Sequence, residues 1–206
     1  MMHIPQISVL KVDQVNDAVQ IHLKSFQGFF LTFLGPDFIY LLYKAILLDS
    51  SGFGFCCVQD DGKMMGFVIG SINPSNLYRR LIVKYWWPFG LAAFRTFIRN
   101  PGILLHLIRF LNKPFEALPA KNCGTLMSIA VDPTNQGKGL GKQLVKSFLC
   151  EARQRGLDYV NLTTDKINNE AVNHFYLTQG FQIARILTYV DKRIMNEYLI
   201  SLEKIE

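Results

Sequence analysis

Between Gly137 and Lys142 the chain reads Gly-Lys-Gly-Leu-Gly-Lys, three glycines and two lysines within six residues. An apolar run, "TLMSIAV", precedes it, and an amphipathic run from Gly139 to Arg155 follows. A strand that turns directly into a helix start aims free backbone N–H groups and the positive end of the helix dipole at one point. Glycines let a ligand approach that backbone closely, and Lys138 and Lys142 add positive charge, so the expected guest is an anion, phosphate first. A second cluster lies downstream in "NEAVNHFYLTQGF", Asn169 to Phe181. Asn169, Asn173 and Tyr176 follow one another at intervals of four and three, which puts two carboxamides and a phenol on one helix face.

Neither nucleotide fingerprint fits the glycine segment. A P-loop needs a glycine where Gln136 stands and Ser or Thr where Gln143 stands. The GxGxxG pattern also fails, because Gly137 and Gly139 lead to Lys142, and Gly139 and Gly141 lead to Leu144. "QGKGLG", Gln136 to Gly141, instead resembles the Q/R-x-x-G-x-G/A pyrophosphate loop of the GNAT superfamily of N-acetyltransferases, and its place after a strand ending in "VDP" is similar too. "NEAVNHFYLTQGF" resembles the second signature of that superfamily, a helix carrying Asn and Tyr ahead of a Gly-Phe turn.

The resemblance covers about residues 124–181 and implies a fold, a donor and a set of roles. The fold would be α/β, a mixed and partly splayed sheet of about seven strands with four main helices, holding acetyl-CoA between two central strands. Gln136, Gly137, Lys138, Gly139, Gly141 and Lys142 would hold the CoA pyrophosphate. Ile129 and Val131 would offer backbone groups to the pantetheine arm, as an added strand does, and Asn169 and Asn173 would hydrogen-bond the cofactor. Tyr176 would be the general acid for the departing thiolate. No metal is expected.

Acyl transfer from a thioester to an amine needs a neutral amine, a polarised carbonyl and a proton for the thiolate. The residue that would take the amine's proton stays unassigned. The strand "TLMSIAV" offers Thr125 and Ser128, Asp165 follows the next strand, and His22 lies on the first helix. His174 is two residues from Tyr176, so on a helix the two point apart, and His174 is expected to be exposed. Water can carry the proton in place of any of them.

The elements that must position these groups follow from periodicity. Ile7 to Val12 reads as a strand, Asp13 as the cap of a helix running from about Gln14 to Phe26, and "DFIYLLYKAILLD" after Gly35-Pro36 as a second helix. "GFCCVQ" and "MMGFVIGS" read as a hairpin joined through Asp61-Gly62. Then come a strand at "TLMSIAV", the helix from Gly139 to Arg155, a strand at "DYVNLTT" and a helix from Asn168 to Thr178 ended by Gly180. "QIARILTYV" and "EYLISLEK" close the chain as antiparallel neighbours.

The 206 residues are read as one domain, residues 1–206, with an insertion at about 73–122. Half the residues are hydrophobic and 18% are charged, a globular balance rather than a disordered one. The start of the chain lacks the pattern of a signal peptide, so a cytoplasmic location is expected. No stretch of about 18 residues is both apolar and uncharged, so no membrane span is expected. The four cysteines form no CxxC pair, and adjacent Cys56 and Cys57 should face opposite sides of a strand, so buried free thiols are expected rather than a disulfide framework or a zinc site.

The net charge of +6 has a single source. Between Leu77 and Leu118 stand Arg79, Arg80, Lys84, Arg95, Arg99, Arg109 and Lys113 against one acid, Glu116, and the rest of the chain is neutral by count. Pro88, Pro101 and Pro114 cut the segment into pieces that read as two short basic amphipathic helices, accompanied by Trp86 and Trp87. Three readings of this insertion stay open. It is a lid binding an anionic acceptor such as a nucleotide-linked amino sugar, a peripheral membrane contact, or an added core layer or homodimer interface. Nucleic acid is not expected, since no binding module accompanies the charge. The sequence thus points to an acetyl-CoA-dependent N-acetyltransferase acting directly on a primary amine, with a non-catalytic CoA-binding or membrane-associated module as the competing class.

Overall fold

The structure is a computed structural model and describes residues 6–27, 30–77, 79–81, 83–84, 87, 90, 120–189 and 193–203. Its frame is one seven-stranded mixed sheet in the order β1-β2-β3-β4-β5-β7-β6. The strands are β1 (Gln6–Val9), β2 (Gly52–Val58), β3 (Met64–Ser71), β4 (Cys123–Val131), β5 (Tyr159–Asp165), β6 (Gln182–Thr188) and β7 (Ile194–Ser201). Every neighbouring pair is antiparallel except β4 with β5. β3 is buried along its whole length, which is why its sequence is a continuous apolar run rather than an alternating one.

Helices α1 (Val15–Ser25), α2 (Phe30–Phe33) and α3 (Pro36–Leu48) lie between β1 and β2 in the chain. α1 and α3 pack on one face of β2–β4, burying Val15, Ala18, Val19, Ile39, Tyr43 and Ile46 against Phe67 and Ile69. Helix α4 (Leu140–Gln154) covers the other face with Leu140, Leu144, Val145, Phe148, Leu149 and Ala152, a stripe at helical spacing. Phe148 stacks on Phe53 with ring centroids 4.4 Å apart. Helix α5 (Glu170–Thr178) joins the same layer through Tyr176, whose ring meets Phe181 and Tyr198. Cys56 and Cys57 fall into opposite cores, as strand alternation requires, and both are free thiols.

The hairpin forms where expected, with Gly62 at φ +83° and the Lys63 N–H donating to Asp61 Oδ1 over 2.9 Å. Asp13 does not cap α1. A short 3₁₀ turn, Val12–Gln14, comes first, and there the Gln14 side chain accepts from the Lys11 N–H at 3.0 Å, so the turn supplies its own cap. α5 begins at Glu170, after Asn168 has turned the chain at φ +56°. Apart from Gly90, the two basic helices expected at 88–113 lie outside the described residues. Nearer β3, residues 74–77 are helical, Leu77 and Leu81 are buried, and Val83 and Trp87 are 71% and 65% exposed. Arg80 clamps Asp49 at the end of α3 through Nε and Nη2, both at 2.7 Å.

Candidate active site

β4 and β5 pair only over Cys123–Thr125 with Tyr159–Asn161. β4 then runs on to Val131 and β5 to Asp165, but β5 pairs with β7 instead along its other edge, so a gap opens between the two central strands. A buried chain of polar groups pins its apex. Thr125 Oγ1 donates to Asn161 Oδ1 at 2.5 Å, Asn161 Nδ2 donates to Glu197 Oε1 at 2.8 Å, and Arg185 pairs with the other Glu197 oxygen. Asn161 and Glu197 are 4% and 3% exposed, so mutual hydrogen bonding is what makes their burial tolerable.

Along β4 the amide directions alternate. The Asp132 N–H donates to the Met65 carbonyl on β3 at 2.8 Å, so the backbone groups of Val131 and Ile129 face the opposite edge, into the gap. This is the orientation that backbone recognition of an extended arm requires. The Val131 carbonyl already accepts from Ser25 Oγ at 3.2 Å and, more weakly, from Gln136 Nε2 at 3.4 Å. Opposite Ile69, β4 carries one extra residue, Met127, between Leu126 and Ser128, a bulge that bends the strand at the gap.

The glycine loop sits at the mouth of this gap. Asp132 organises its approach by accepting from the Thr134 hydroxyl and N–H at 2.6 and 3.0 Å and pairing with Lys24 at 3.1 Å. The Thr134 bonds first, then Lys24, hold its carboxyl down to about 2. Gly137 and Gly139 have φ of +76° and +78°, and a Cβ on either would meet nothing within 4 Å, so an open cradle surrounds them. Gly139 is the N-cap of α4 without a side-chain cap, and the first helical bond runs from the Gln143 N–H to the Gly139 carbonyl. The N–H groups of Leu140, Gly141 and Lys142 therefore have no intrahelical acceptor and point out of the helix start. A Cβ on Gly141 would come within 3.3 Å of the Phe175 ring, so α4 and α5 approach one another here. Lys138 and Lys142 are exposed, and Lys138 Nζ donates to Asn135 Oδ1 at 2.8 Å.

On α5 the expected face forms, but its members act differently. Asn169 Nδ2 donates to Thr164 Oγ1 and the Asp165 carbonyl at 2.8 and 3.0 Å. Asn173 Nδ2 donates to the Asp165 and Asn169 carbonyls, and its Oδ1 accepts from Asn196 Nδ2 and Tyr198 Oη at 3.0 and 2.8 Å. With both donors and both lone pairs matched, Asn173 has no polar capacity left for a ligand and serves as the latch of α5 on β5 and β7. Tyr176 is 6% exposed, and burial pushes its hydroxyl well above the usual tyrosine range, so it is fully protonated at neutral pH.

Among the residues considered for the amine's proton, Asp165 is held by Arg193 in a two-point pair at 2.5 and 2.8 Å. Thr125 is committed to Asn161. His174 is exposed, as expected. His22 is 3% exposed, and burial lowers its pKa to about 4. Its Nδ1 lies 2.6 Å from Tyr43 Oη, which in turn donates to Ser128 Oγ at 2.8 Å. Tyr43 carried no functional signal in the sequence, where it is one apolar position among many in α3. Asn161 and Glu197 were equally silent, since only the strand order brings them to the apex.

A sheet that parts beside its parallel β4–β5 pair, with a glycine-rich helix start at the opening, defines an acyl-CoA N-acyltransferase fold of the GNAT type. The chain belongs to the Acetyltransferase (GNAT) family, whose model matches residues 16–181. It is 41% identical over 58 residues to a mycothiol acetyltransferase of Thermobispora bispora, a stretch covering 28% of this chain and 19% of that protein. The match thus spans about a fifth of that curated relative's length. An N-acetyltransferase from Staphylococcus aureus Mu50 superposes with a TM-score of 0.63 at 16% identity, covering 98% of this chain and 100% of the other. The ribosomal-protein-S18-alanine N-acetyltransferase of Escherichia coli superposes at 0.56 with 18% identity, covering 98% and 99%. At these identities the structural likenesses speak for the fold.

Proposed function

We propose that this chain is an acetyl-CoA-dependent N-acetyltransferase that transfers the acetyl group directly to the primary amine of a small acceptor, an amino sugar or an anionic molecule such as a nucleotide-linked amino sugar. The observation that carries this reading is the gap itself, where an open glycine cradle with unpaired helix-start N–H groups leads to β4 amides that face inward. A pyrophosphate fits that cradle because it needs close backbone approach, several donors and no Cβ. Gln136, Gly137, Lys138, Gly139, Gly141 and Lys142 bind the pyrophosphate, and Ile129 and Val131 pair with the pantetheine arm. Asn169 orders the start of α5, and Asn173 supports the site by holding α5 rather than by touching the donor.

Bound acetyl-CoA supplies an activated carbonyl. Tyr176, protonated at neutral pH, donates the proton that the departing thiolate needs. With Asp165 paired to Arg193 and His22 buried against Tyr43, the amine's proton leaves through water. The family membership supports acetyl-CoA as donor, and no metal is proposed.

The test is thiol release from acetyl-CoA in the presence of amino sugars, polyamines and peptide N-termini, with acetyl-CoA binding measured alongside. Release with at least one amine is expected. Tight binding without release for any amine would favour the non-catalytic module. Gly139→Glu places a carboxylate in the cradle and should weaken CoA binding at least tenfold, and unchanged affinity would refute the loop assignment.

A further inference from the structure

One buried polar chain crosses from the α1–α3 layer to β4 and is absorbed by none of the roles above. His22 on α1, Tyr43 on α3 and Ser128 on β4 are linked at 2.6 and 2.8 Å. Tyr43 is 1% exposed, and burial raises its hydroxyl pKa far above the usual range, so its one proton stays on the chain. The His22 ring meets Phe26 at 4.6 Å and Tyr43 at 5.7 Å, and its Nε2 is buried with no hydrogen-bond partner. Other titratable groups lie on or beside the elements packed against α1: Lys11 and Asp13 before it, Tyr40 and Lys44 on α3, Cys123 on β4 and Asp132 just beyond. Of them all, only Tyr43 bonds the ring among the described residues.

The orphaned Nε2 decides the direction of the chain. If the Tyr43 hydroxyl donated to Nδ1, the neutral ring would carry its hydrogen on Nε2, a buried N–H with no acceptor, which folded proteins avoid most strongly. If Nδ1 carries the hydrogen, Nε2 keeps only a lone pair, and each member donates to the next: His22 to Tyr43, and Tyr43 to Ser128. The Ser128 oxygen then receives a hydrogen bond from inside the protein, and its own hydrogen is left for a partner elsewhere. Donors in series polarise one another, which strengthens the last O–H.

Ser128 lies three residues beyond the last β4–β5 pair and directly after the Met127 bulge, where the gap is open. An arm entering at the glycine loop and following Val131 and Ile129 reaches Ser128 next. We propose that Ser128 donates its hydroxyl hydrogen to the carbonyl oxygen of the bound thioester as negative charge develops there, and that Tyr43 and His22 are positioning residues that fix the direction of this bond. The proposal rests on the acetyl-CoA reading of the gap. It makes Ser128 a preorganised oxyanion donor supplied by a side chain.

Infrared difference spectroscopy of acetyl-CoA labelled with ¹³C at the acetyl carbonyl tests this without knowledge of the acceptor. Bound to the native protein, the carbonyl stretch should fall below that of free acetyl-CoA; it should return toward the free value in Ser128→Ala, stay low in Ser128→Thr and shift partway in Tyr43→Phe. A stretch that Ser128→Ala leaves unmoved overturns the donor role while leaving the acetyl-CoA reading intact. Failure of the native protein to bind acetyl-CoA overturns both. ¹⁵N NMR of His22 supplies a readout that needs no variant: a hydrogen on Nδ1 is expected between pH 6 and 9, and a hydrogen on Nε2 overturns the chain direction. With any amine that supports thiol release, Ser128→Ala should lower kcat by about 100-fold, with acetyl-CoA affinity changed less than about twofold, whereas equal losses in binding and kcat count against it.

Discussion

Gly139 and Gly141 look alike in the sequence and are separated by their geometry. At φ +78°, Gly139 holds a conformation that costs an L-residue about 1–2 kcal/mol, although space for a Cβ is open. Gly141 is helical, so alanine there gains about 1 kcal/mol of helix propensity, offset by a 3.3 Å approach to the Phe175 ring. Gly139→Ala should therefore lose about 1 kcal/mol in urea denaturation and weaken CoA binding, while Gly141→Ala should fold with near-native stability. Equal losses would mean that the φ of Gly139 is not what demands glycine. His22 gives a pH signature. Its folded pKa of about 4 lies below the ordinary 6.5, so the unfolded chain binds the proton more readily in between. Its contribution is complete above about pH 6.5 and is lost as pH falls toward 4, at most roughly 3 kcal/mol. Denaturation midpoints across that range should fall in the native protein and fall less in His22→Gln. Parallel pH profiles would show that His22 is not the titrating group. The glycine turn before α4, the helix that carries Tyr176 and the exposure of His174 were legible because their signals are local. Tyr43, Asn161 and the saturation of Asn173 were not, because each depends on partners far away in the chain.

At the scale of elements, the order of strands and helices follows from periodicity and turn residues, and the structure agrees closely with it. The missed details are endings: the 3₁₀ turn before α1, the Met127 bulge and the start of α5, all fixed by side-chain contacts that periodicity does not encode. The parting of β4 from β5 is of the same kind. No residue in either strand forbids further pairing; β5 runs on along β7 while β4 bends at its bulge. The polar pin at the apex should therefore matter beyond its own bonds. Asn161→Ala removes an acceptor from Thr125 and a donor from Glu197, leaving buried groups unmatched at a cost of about 1–3 kcal/mol. Because Thr125 and Asn161 mark the last pair before the gap, the same change should also weaken acetyl-CoA binding. Calorimetric unfolding and a binding isotherm on this variant check the two effects separately. A stability loss with native affinity would confine the pin to a structural role.

For the whole molecule, the charge distribution sets the question of the acceptor. The sheet and its helices are close to neutral, and the excess of basic residues belongs to the insertion between β3 and β4, which leads into β4, one of the two strands that border the gap. Its first turn is tied to the body through buried Leu77 and Leu81 and through the Arg80–Asp49 clamp, which leaves Arg80 engaged while Arg79 is exposed. Arginines further along, Arg95 and Arg99, stand one helical turn apart by sequence and suit the fork geometry of a phosphate. If the segment binds an anionic acceptor, reversing those two charges should raise the acceptor KM at least tenfold for a phosphorylated amino sugar, while acetyl-CoA affinity stays within about twofold. The acceptor KM should also climb between 50 and 300 mM salt, as the screening length shrinks below about 10 Å. If the segment instead lies on a lipid surface, with exposed Val83 and Trp87 beside basic side chains, the native protein should float with anionic vesicles and Arg95→Glu/Arg99→Glu should not. Steady-state kinetics and flotation on the same pair of proteins separate the two cases: co-flotation lost on charge reversal with an unmoved KM would sink the acceptor reading, and a raised KM in a protein that never floats would sustain it.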